Sequence, residues 1–492
     1  MTPQLPMIII CVPLMVAIVI AFTGPWTSVG QGHKNLCFFL VSAAMLACFW
    51  GSITLLNMVG SKGIIEYRLG GWAPPMGIVL RIDHLNAFML VLISFIGLTS
   101  AVHGKKSVDK ELPDKTALFW CLYLLFITGL FGITMTGDLF NLFVFLEVAS
   151  LTGYALVAAG SKKATFAGFR YLILGSVGAS FYLLGVGYLY IATGTLNMAD
   201  LATILPGLYH SKTILLGFGF MLVGVSIKTA LFPMHIWLPD AYTYAVSAVS
   251  AMIAPLTTKV MAYVMIRVMF TVFEPRFSVS LIEVADILVW MGSLAIIFGA
   301  VSALSQTDFK RMLSYIIIAE IGYIVGGVGL ANPVGLKGAV FHIINDAVMM
   351  ACLFYVAGQI SYQKAGQTLD DFNGLLKHMP VTAVVFTIGA LAVIGVPPLC
   401  GFFSKWYLLL GGIQAKQWGF VGALACCTVI NIALFFRLFD RVLFGHSQSD
   451  VRQLEEAPKM LLVPSMVMAL VLLGIGIFNQ YIVNDVLGFK IL

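Results

Sequence analysis

Ionisable side chains inside long apolar stretches are the residues of this chain best suited to chemistry. Four bases and three acids stand out: Glu147, Lys228, Lys259, Glu320, His342, Asp346 and Lys405. A charge at the centre of a membrane helix costs about 2.5–3.5 kcal/mol on insertion scales, so such groups must face protein or water and pair. Small movements change the protonation state of a buried lysine beside an acid. The seven residues therefore predict a proton pathway, with no residue assigned to covalent catalysis.

A structural explanation competes with this one, because a membrane-embedded lysine–glutamate pair can be only a clamp. For Arg267 and Arg437, near predicted helix ends, snorkelling to the lipid headgroups is favoured over function. Clamps explain poorly why acids and bases alternate on five or six separate helices. His342 and Asp346 also lie four positions apart, on one face of one helix.

Two of the lysines lie beside breaks in apolar helices. Residues 397–405 read PPLCGFFSK, with Lys405 just past the break, and Pro233 follows Lys228 by five positions. Proline removes a backbone donor and frees carbonyls, which membrane depth tolerates only beside protein or a water-filled cavity. Paired broken helices in two halves of a chain indicate an inverted repeat with an ion path near the midplane.

The composition places these charges in a membrane protein. Hydrophobic residues make up 60% of the chain and charged residues 10%, whereas soluble proteins have about 25% charged residues. The N-terminal run 7–22 lacks the basic region of a signal peptide, so we interpret it as the first membrane helix. The net charge of +6 comes mostly from short loops and indicates topology and not nucleic-acid binding.

A window of about 20 apolar residues predicts an all-α polytopic fold in a single membrane domain, 1–492. Fourteen helices are expected near 7–24, 35–58, 84–103, 117–136, 139–159, 168–193, 213–232, 243–270, 281–304, 311–330, 336–360, 381–396 (with 400–413 as its second half), 418–440 and 461–484.

Lysine and arginine counts in the predicted loops set the orientation. One side holds fifteen: Lys34, Lys105, Lys106, Lys110, Lys115, Lys162, Lys163, Arg170, Lys310, Arg311, Lys364, Lys377, Arg441, Arg452 and Lys459. The other holds eight: Lys62, Arg68, Arg81, Lys212, Arg276, Lys337, Lys416 and Lys490. The positive-inside rule places the first set in the cytoplasm and both termini outside the cell membrane.

The eight cysteines are interpreted as packing residues, since their spacing suggests neither a metal site nor a disulfide framework. The sequence has no CxxC clusters, no nucleotide-binding glycine motif and no haem ligand pair. We therefore expect no cofactor and no metal, and any redox chemistry would belong to a partner.

Several motifs together resemble a known family. GDLFNLFVFLE (137–147), KTALFPMHIWLPDAY (228–242), TTKVMAYVMIR (257–267), ALSQTDFKRMLSY (303–315) and GVPPLCGFFSK (395–405) resemble the antiporter-like subunits of respiratory complex I, membrane-bound hydrogenases and Mrp-type Na+/H+ antiporters. The resemblance covers about residues 70–440. GGWAPPMGIVLRIDHLNAF (70–88) looks most like the D subunit of Mrp antiporters and its hydrogenase-associated relatives.

The resemblance implies two inverted five-helix repeats, helices 4–8 (117–270) and 9–13 (281–440), with helices 7 and 12 broken. It implies a switchable pair of Glu147 with Lys228. From there, protons would pass through Lys259 and His342 to Lys405. Relatives often carry a histidine where Asp346 stands, a lysine where Met350 stands, and a polar residue or histidine in place of Glu320, so the central relay here is more acidic than usual.

Three hypotheses follow. The first is a proton-translocating Mrp-type antiporter subunit, assembled in the lipid bilayer with other membrane subunits and moving protons, with Na+ as an open alternative. The second is the same scaffold driven by a redox partner, as in membrane-bound hydrogenase or a complex I-like oxidoreductase. The third is a structural scaffold whose channel no longer conducts ions. The presence together of Glu147, Lys228, Lys259 and Lys405 argues against it.

Overall fold

The fourteen expected helices are present in the computed structural model, which describes residues 4–23, 31–364, 366–445 and 455–486. They are α1 (Leu5–Thr23), α2 (Gln31–Lys62), α3 (His84–Glu111), α4 (Thr116–Met135), α5 (Leu139–Ala158), α6 (Lys162–Thr193), α7a (Lys212–Thr229) with α7b (Leu238–Tyr244), α8 (Ser247–Ile266), α9 (Val284–Leu304), α10 (Phe309–Gly329), α11 (Pro333–Lys364), α12a (Pro380–Ile394) with α12b (Cys400–Gln414), α13 (Trp418–Phe444) and α14 (Lys459–Ile477).

Shorter elements connect these helices in the described ranges. They are the helical turns Leu69–Gly71, Met198–Ile204, Leu205–Leu208, Arg267–Val272, Arg276–Leu281, Leu369–Phe372, Leu375–His378, Asn479–Tyr481 and Ile482–Val486.

Thirteen helices of the described chain are long and apolar enough to cross a membrane by themselves. The fourteenth expected segment consists of two shorter helices, α12a and α12b, of 15 residues each. Several helices run past their predicted ends, so α6 begins at Lys162 and α11 ends at Lys364. Charged residues can continue a helix beyond the hydrocarbon layer, and the hydropathy of the chain marks only the layer itself.

Three helices form the centre of the bundle. The apolar span of α11 is entirely buried, and those of α8 and α10 are 94% buried, whereas those of α1, α2, α6, α13 and α14 are under 40% buried. Most of the polar side chains described below lie on or against α8, α10 and α11.

A small β-hairpin departs from the expected all-α fold. Strands β1 (Ile65–Arg68) and β2 (Val79–Ile82) pair antiparallel between α2 and α3, with Glu66 opposite Arg81. Leu80 also bridges to Thr136, and Gly137 donates its N–H to the Val79 carbonyl at 2.8 Å. This pairing attaches the hairpin to the α4–α5 connection, in a stretch for which the sequence predicts no membrane helix.

Both broken helices end in the same local way. α7a ends where Ala230 takes a left-handed conformation (φ 59°), and α12a ends where Gly395 does so (φ 92°). A proline follows three positions later in each case, at Pro233 and Pro398. A residue with positive φ stops a helix, and the proline cannot resume its hydrogen bonding.

Candidate functional site

The first ion pair joins α5 to the end of α7a. The Lys228 ammonium lies 3.8 Å from Oε1 of Glu147, and it donates hydrogen bonds to the Ser150 hydroxyl at 2.7 Å and the Tyr154 hydroxyl at 3.0 Å. Oε1 of Glu147 has no hydrogen-bond partner among the described residues. The lysine is thus held by neutral hydroxyls while its acid stands just beyond hydrogen-bond reach, an arrangement that a small movement can close.

The second pair lies at the centre of the bundle. The Lys259 ammonium on α8 is 2.8 Å from Oδ2 of Asp346 on α11, and neither side chain is exposed at all. The ammonium also donates to the Ala254 carbonyl at 3.2 Å. Two opposite charges without solvent contact require each other, because either one alone would be an uncompensated buried charge.

A third group connects α10, α11 and α12b. Nε2 of His342 is 2.5 Å from Oε2 of Glu320, and its Nδ1 is 2.9 Å from the Ser404 hydroxyl. The Lys405 ammonium lies 3.9 Å from Oε1 of the same glutamate. Each carboxylate oxygen of Glu320 therefore faces a basic side chain, Oε2 that of His342 and Oε1 that of Lys405.

The proline break positions Lys405. Its ammonium donates to the Val393 carbonyl at 2.5 Å, across the break from its own helix. In an uninterrupted helix that carbonyl would accept from the residue four positions on, which is Pro397 and has no N–H. The break thus supplies a free carbonyl at membrane depth, and the ammonium occupies it.

A cavity of about 170 Å³ adjoins this end of the site. Tyr323, Lys405, Trp406 and Thr428 are among its lining residues. Trp406 is itself exposed on the outer surface of the bundle. Lys405 therefore lies where the buried polar groups come close to that surface.

The structure brings the seven predicted residues into two groups. Five side chains form one group through α8, α10, α11 and α12b, with His342 and Asp346 one turn apart on α11: Lys259, Glu320, His342, Asp346 and Lys405. Glu147 and Lys228 form the other. Direct contacts between the two groups are absent among the described residues. The buried Tyr242 hydroxyl lies near Asp346 and Thr257, and the buried Thr258 hydroxyl has no hydrogen-bond partner in that part of the chain.

A family model for the membrane part of NADH:quinone oxidoreductases and Mrp antiporters matches residues 136–431, which include all seven positions. The chain belongs to this family. Its curated relatives include the N subunit of the NADH-quinone oxidoreductase of Desulforudis audaxviator, 39% identical over all of this chain and 99% of the relative. The D subunit of the Na(+)/H(+) antiporter of Alkalihalophilus pseudofirmus is 30% identical, over 93% of this chain and 91% of the relative.

The fold is similar to that of solved members of larger complexes. A chain of the membrane-bound sulfane sulfur reductase, an archaeal respiratory membrane complex, superimposes with a TM-score of 0.89 and 30% identity over 98% of this chain and 96% of that one. The resemblance expected from the motifs is confirmed, and the protein is a multi-pass membrane protein of the antiporter-like family. The expected preference for the Mrp branch is not favoured, since relatives of both kinds align along nearly the whole chain.

The expectation that Arg267 snorkels to the headgroups is wrong. Its guanidinium pairs with Asp83 at 2.5 Å and donates to the Tyr263 hydroxyl at 2.9 Å, and the side chain is only 12% exposed. Burial raises the pKa of the Asp83 carboxyl, but Arg267 and the Asn86 backbone N–H lower it more, so the pKa lies below its usual range. Arg437 donates to the Gln306 carbonyl at 3.4 Å and is partly buried.

Sequence reasoning missed three polar features of this family member. Lys310, counted as a loop residue, is fully buried and donates to the Ala245 carbonyl at 3.1 Å. Asp240 pairs with Arg170 at 2.6 Å and Arg311 at 3.3 Å, and so joins α6, α7b and α10. His103 is fully buried in α3.

Simple signals mark only some of the missed residues. Ser150 and Tyr154 follow Glu147 at three and seven positions, which is the spacing of one helix face, and that pattern could have assigned them to the Lys228 pair. The burial of Lys310 has no such signal, because it depends on which helix covers the first turn of α10. The basic residues Arg452 and Lys490, like both chain termini, lie outside the described residues.

Proposed function

We propose that this chain is a proton-translocating antiporter-like subunit of a multisubunit membrane complex. The observation that carries the proposal is the fully buried Lys259–Asp346 pair, with the Glu320–His342–Lys405 group on the adjoining helices. Such pairs stabilise a fold weakly at best, since well-packed apolar residues usually do as well. Intramembrane ionisable chains of this kind are typical of proton relays.

Each residue has a proposed role in that relay. Glu147 and Lys228 form the switchable pair, because the ammonium can exchange its hydroxyl partners for the carboxylate only 3.8 Å away. Lys259 and Asp346 hold the proton at the centre of the bundle, and Glu320 and His342 pass it on to Lys405. Lys405 ends the path beside the outer cavity and exchanges its proton there.

Matching backbone contacts support two inverted repeats, 117–270 and 281–440. In the first, Leu139 donates to the Leu196 carbonyl and Met198 to the Gly137 carbonyl; in the second, Phe309 donates to Gln367 and Leu369 to Thr307. An aspartate caps the helix at each place, Asp138 on α5 and Asp308 on α10. The breaks in helices 7 and 12, where Ala230 and Gly395 have positive φ, lie at corresponding positions of the two proposed repeats.

Further proposals concern the setting of the subunit. The complex lies in the cell membrane with both termini outside, because the basic residues concentrate on the opposite side. The transported ions are protons, with Na+ as the exchanged or alternative cation, and the outer helices contact lipid and partner subunits. The Mrp antiporter and the redox-driven complex are equally supported as its assembly, since the chain has relatives of both kinds.

The test neutralises first one member of the central pair and then both. In vesicles containing the complex, Lys259→Met should stop proton movement, and it should also weaken assembly, because loss of one member of a buried pair typically costs about 3–5 kcal/mol. Lys259→Met with Asp346→Asn neutralises both members, so the complex should assemble normally and remain inactive. Proton movement is followed with a pH-sensitive dye.

The matched control is Lys212→Met, which removes an exposed lysine at the start of α7a and should change neither property. Wild-type proton movement in the assembled double variant would overturn the proposal.

A further inference from the structure

Buried polar side chains outside the seven-residue relay fill the contact between α3, α8, α11 and α14. We call them the inlet cluster: Ser100, His103, Ser247, Tyr355, Gln359 and Ser465, all of which are 1% exposed or less. Polar side chains are rarely buried in such number without hydrogen-bonding partners or water, so this contact differs from apolar helix packing.

His103 is held so that one ring nitrogen remains open. Its Nδ1 lies 3.1 Å from the Leu461 carbonyl, and because a carbonyl only accepts, this nitrogen carries the proton. The neutral ring then has its lone pair on Nε2, which is fully buried and without a partner among the described residues. The ring also stacks on Tyr355, with centroids 4.4 Å apart. His103 thus presents a fixed, unpartnered base.

Gly358 keeps space open beside that nitrogen. A methyl group at Gly358 would lie 2.7 Å from Nε2 of His103 and 3.7 Å from Cβ of Ser247. The Ser247 hydroxyl is buried and has no partner in the described part of the chain, while its backbone N–H lies 3.3 Å from the exposed Glu111 carboxylate. The space at Gly358, called the Gly358 gap below, thus lies between the open nitrogen of His103 and Ser247, whose backbone contacts the surface acid Glu111.

The inner end of the cluster leads to Lys259. The Tyr355 hydroxyl contacts the Ser100 hydroxyl at 2.8 Å, and Ser100 donates to the Ala251 carbonyl at 3.3 Å. That carbonyl lacks a helical donor because Pro255 stands four positions on. One turn further along α8, the Ala254 carbonyl accepts from the Lys259 ammonium. Polar groups therefore follow α8 from the surface to the central pair.

We propose that the inlet cluster is a second proton entrance, which supplies the Lys259–Asp346 pair without passing through Glu147 and Lys228. Resting on the proposed function, it deepens that function by adding a route. A proton from the solvent beside Glu111 crosses the Gly358 gap by water and binds Nε2 of His103. It leaves the same atom to water beside the Tyr355 and Ser100 hydroxyls and is taken up by the Asp346 carboxylate, whose partner Lys259 is already an ammonium.

The first experiment closes the gap and leaves every ionisable group in place. Gly358→Ala in the assembled complex should slow proton movement in vesicles about tenfold, which corresponds to a barrier raised by about 1.4 kcal/mol. The matched control is Gly389→Ala, whose methyl would lie 2.9 Å from the apolar Leu353 side chain and should leave the rate unchanged. A wild-type rate in the assembled Gly358→Ala complex would overturn the proposal.

The second experiment measures the access of water to position 100 and does not depend on transport activity. Ser100→Cys should react with a small thiol reagent, because only a hydrated thiol ionises readily, and Gly358→Ala should slow this reaction. Native Cys352, buried on α11 with its thiol directed at the Val385 carbonyl, serves as the internal apolar control. A Ser100→Cys thiol as inert as Cys352 would reject the entrance.

The two proposals fail separately. If the double variant of Lys259 and Asp346 still moves protons, the proposed function itself is wrong. If that variant is inactive while Gly358→Ala is fully active, the relay stands and only the second entrance is wrong.

Discussion

At the scale of single residues, the site combines two tight contacts with two loose ones. Lys259–Asp346 and His342–Glu320 are at 2.8 and 2.5 Å, whereas Lys228–Glu147 and Lys405–Glu320 are at 3.8 and 3.9 Å. The loose contacts lie at the two ends of the proposed relay and the tight ones at its centre. A proton can be exchanged most easily where the lysine and its acid are not yet in hydrogen-bond contact. We therefore expect the two ends of the relay to act as its switching points.

Glu147→Ala should abolish coupled proton translocation while the complex still assembles, because we expect transport to require the switch of Glu147 and Lys228 whichever entrance the proton uses. The carboxylate is 27% exposed, and the variant leaves Lys228 with its two hydroxyl partners, Ser150 and Tyr154. The measurement is dye-monitored proton movement together with purification of the intact complex. Normal translocation in the alanine variant would remove Glu147 from the relay.

Lys405→Ala and Lys405→Arg should both stop coupled transport. Arginine keeps the positive charge near Glu320 and the Val393 carbonyl, but it does not release its proton in proteins. Comparing the two variants therefore distinguishes a proton carrier from a fixed charge. The measurement is the initial rate of transport in vesicles. Full activity in the arginine variant would make Lys405 an electrostatic feature only.

At the scale of elements, the breaks and the hairpin use local chemistry to fix long-range contacts. The α12 break frees the Val393 carbonyl for Lys405, and Pro255 in α8 frees the Ala251 carbonyl for Ser100. The β-hairpin delivers Asp83, the N-cap of α3, to Arg267 at the end of α8. Each of these elements thus presents a polar group that accepts a hydrogen bond from a side chain of another helix.

Asp83→Asn should lower the Tm of the solubilised complex at neutral pH. Asparagine can still cap α3, so the loss reports the charge against Arg267, about 1.5–3 kcal/mol for hydrogen bonds to a charged group. The pKa of Asp83 is depressed in the folded protein, so its contribution is complete above the usual carboxyl range of about 4 and is lost as pH falls through the lower folded value.

Thermal unfolding at several pH values checks this. The difference in Tm between wild type and variant should persist at pH 5 and shrink below about pH 4. Asp370→Asn is the control, since Asp370 pairs with Arg441 at 2.8 Å but is 77% exposed, and surface pairs contribute little. Equal effects of the two variants would contradict a special role for Asp83.

At the scale of the whole molecule, the bundle has a polar centre and an apolar exterior. α8, α10 and α11 carry the central charges, while α1, α2, α6, α13 and α14 present large exposed apolar side chains outward. Asp240, shared by Arg170 and Arg311, connects the helices of the first proposed repeat to the start of α10. The relay therefore crosses both proposed halves of one bundle.

Purification of the tagged complex should identify its driving force. Small membrane subunits alone, with proton movement triggered by a Na+ gradient, would establish the antiporter assembly. Iron–sulfur or nickel proteins in the same complex, with proton movement triggered by an electron donor, would establish the redox-driven one. Mass spectrometry of the subunits and a metal assay separate the two outcomes, and isolation of the chain as an active monomer would contradict both.

The sequence by itself determined the fourteen segments, the charges within them and the two breaks. These follow from local properties, since hydropathy defines a membrane span and proline with glycine interrupts a helix wherever it lies. The motifs also sufficed to recognise the family, and all seven candidate residues lie inside the matched region.

Only the tertiary structure decided which of these groups meet. Lys259 pairs with Asp346, 87 positions away, because the faces of α8 and α11 pack together, and no local pattern encodes that choice. The same reason explains why Arg267 was misjudged and why Lys310 and His103 were overlooked. Burial of a polar side chain depends on the neighbouring helix that covers it, and a sequence read along one helix does not contain that neighbour.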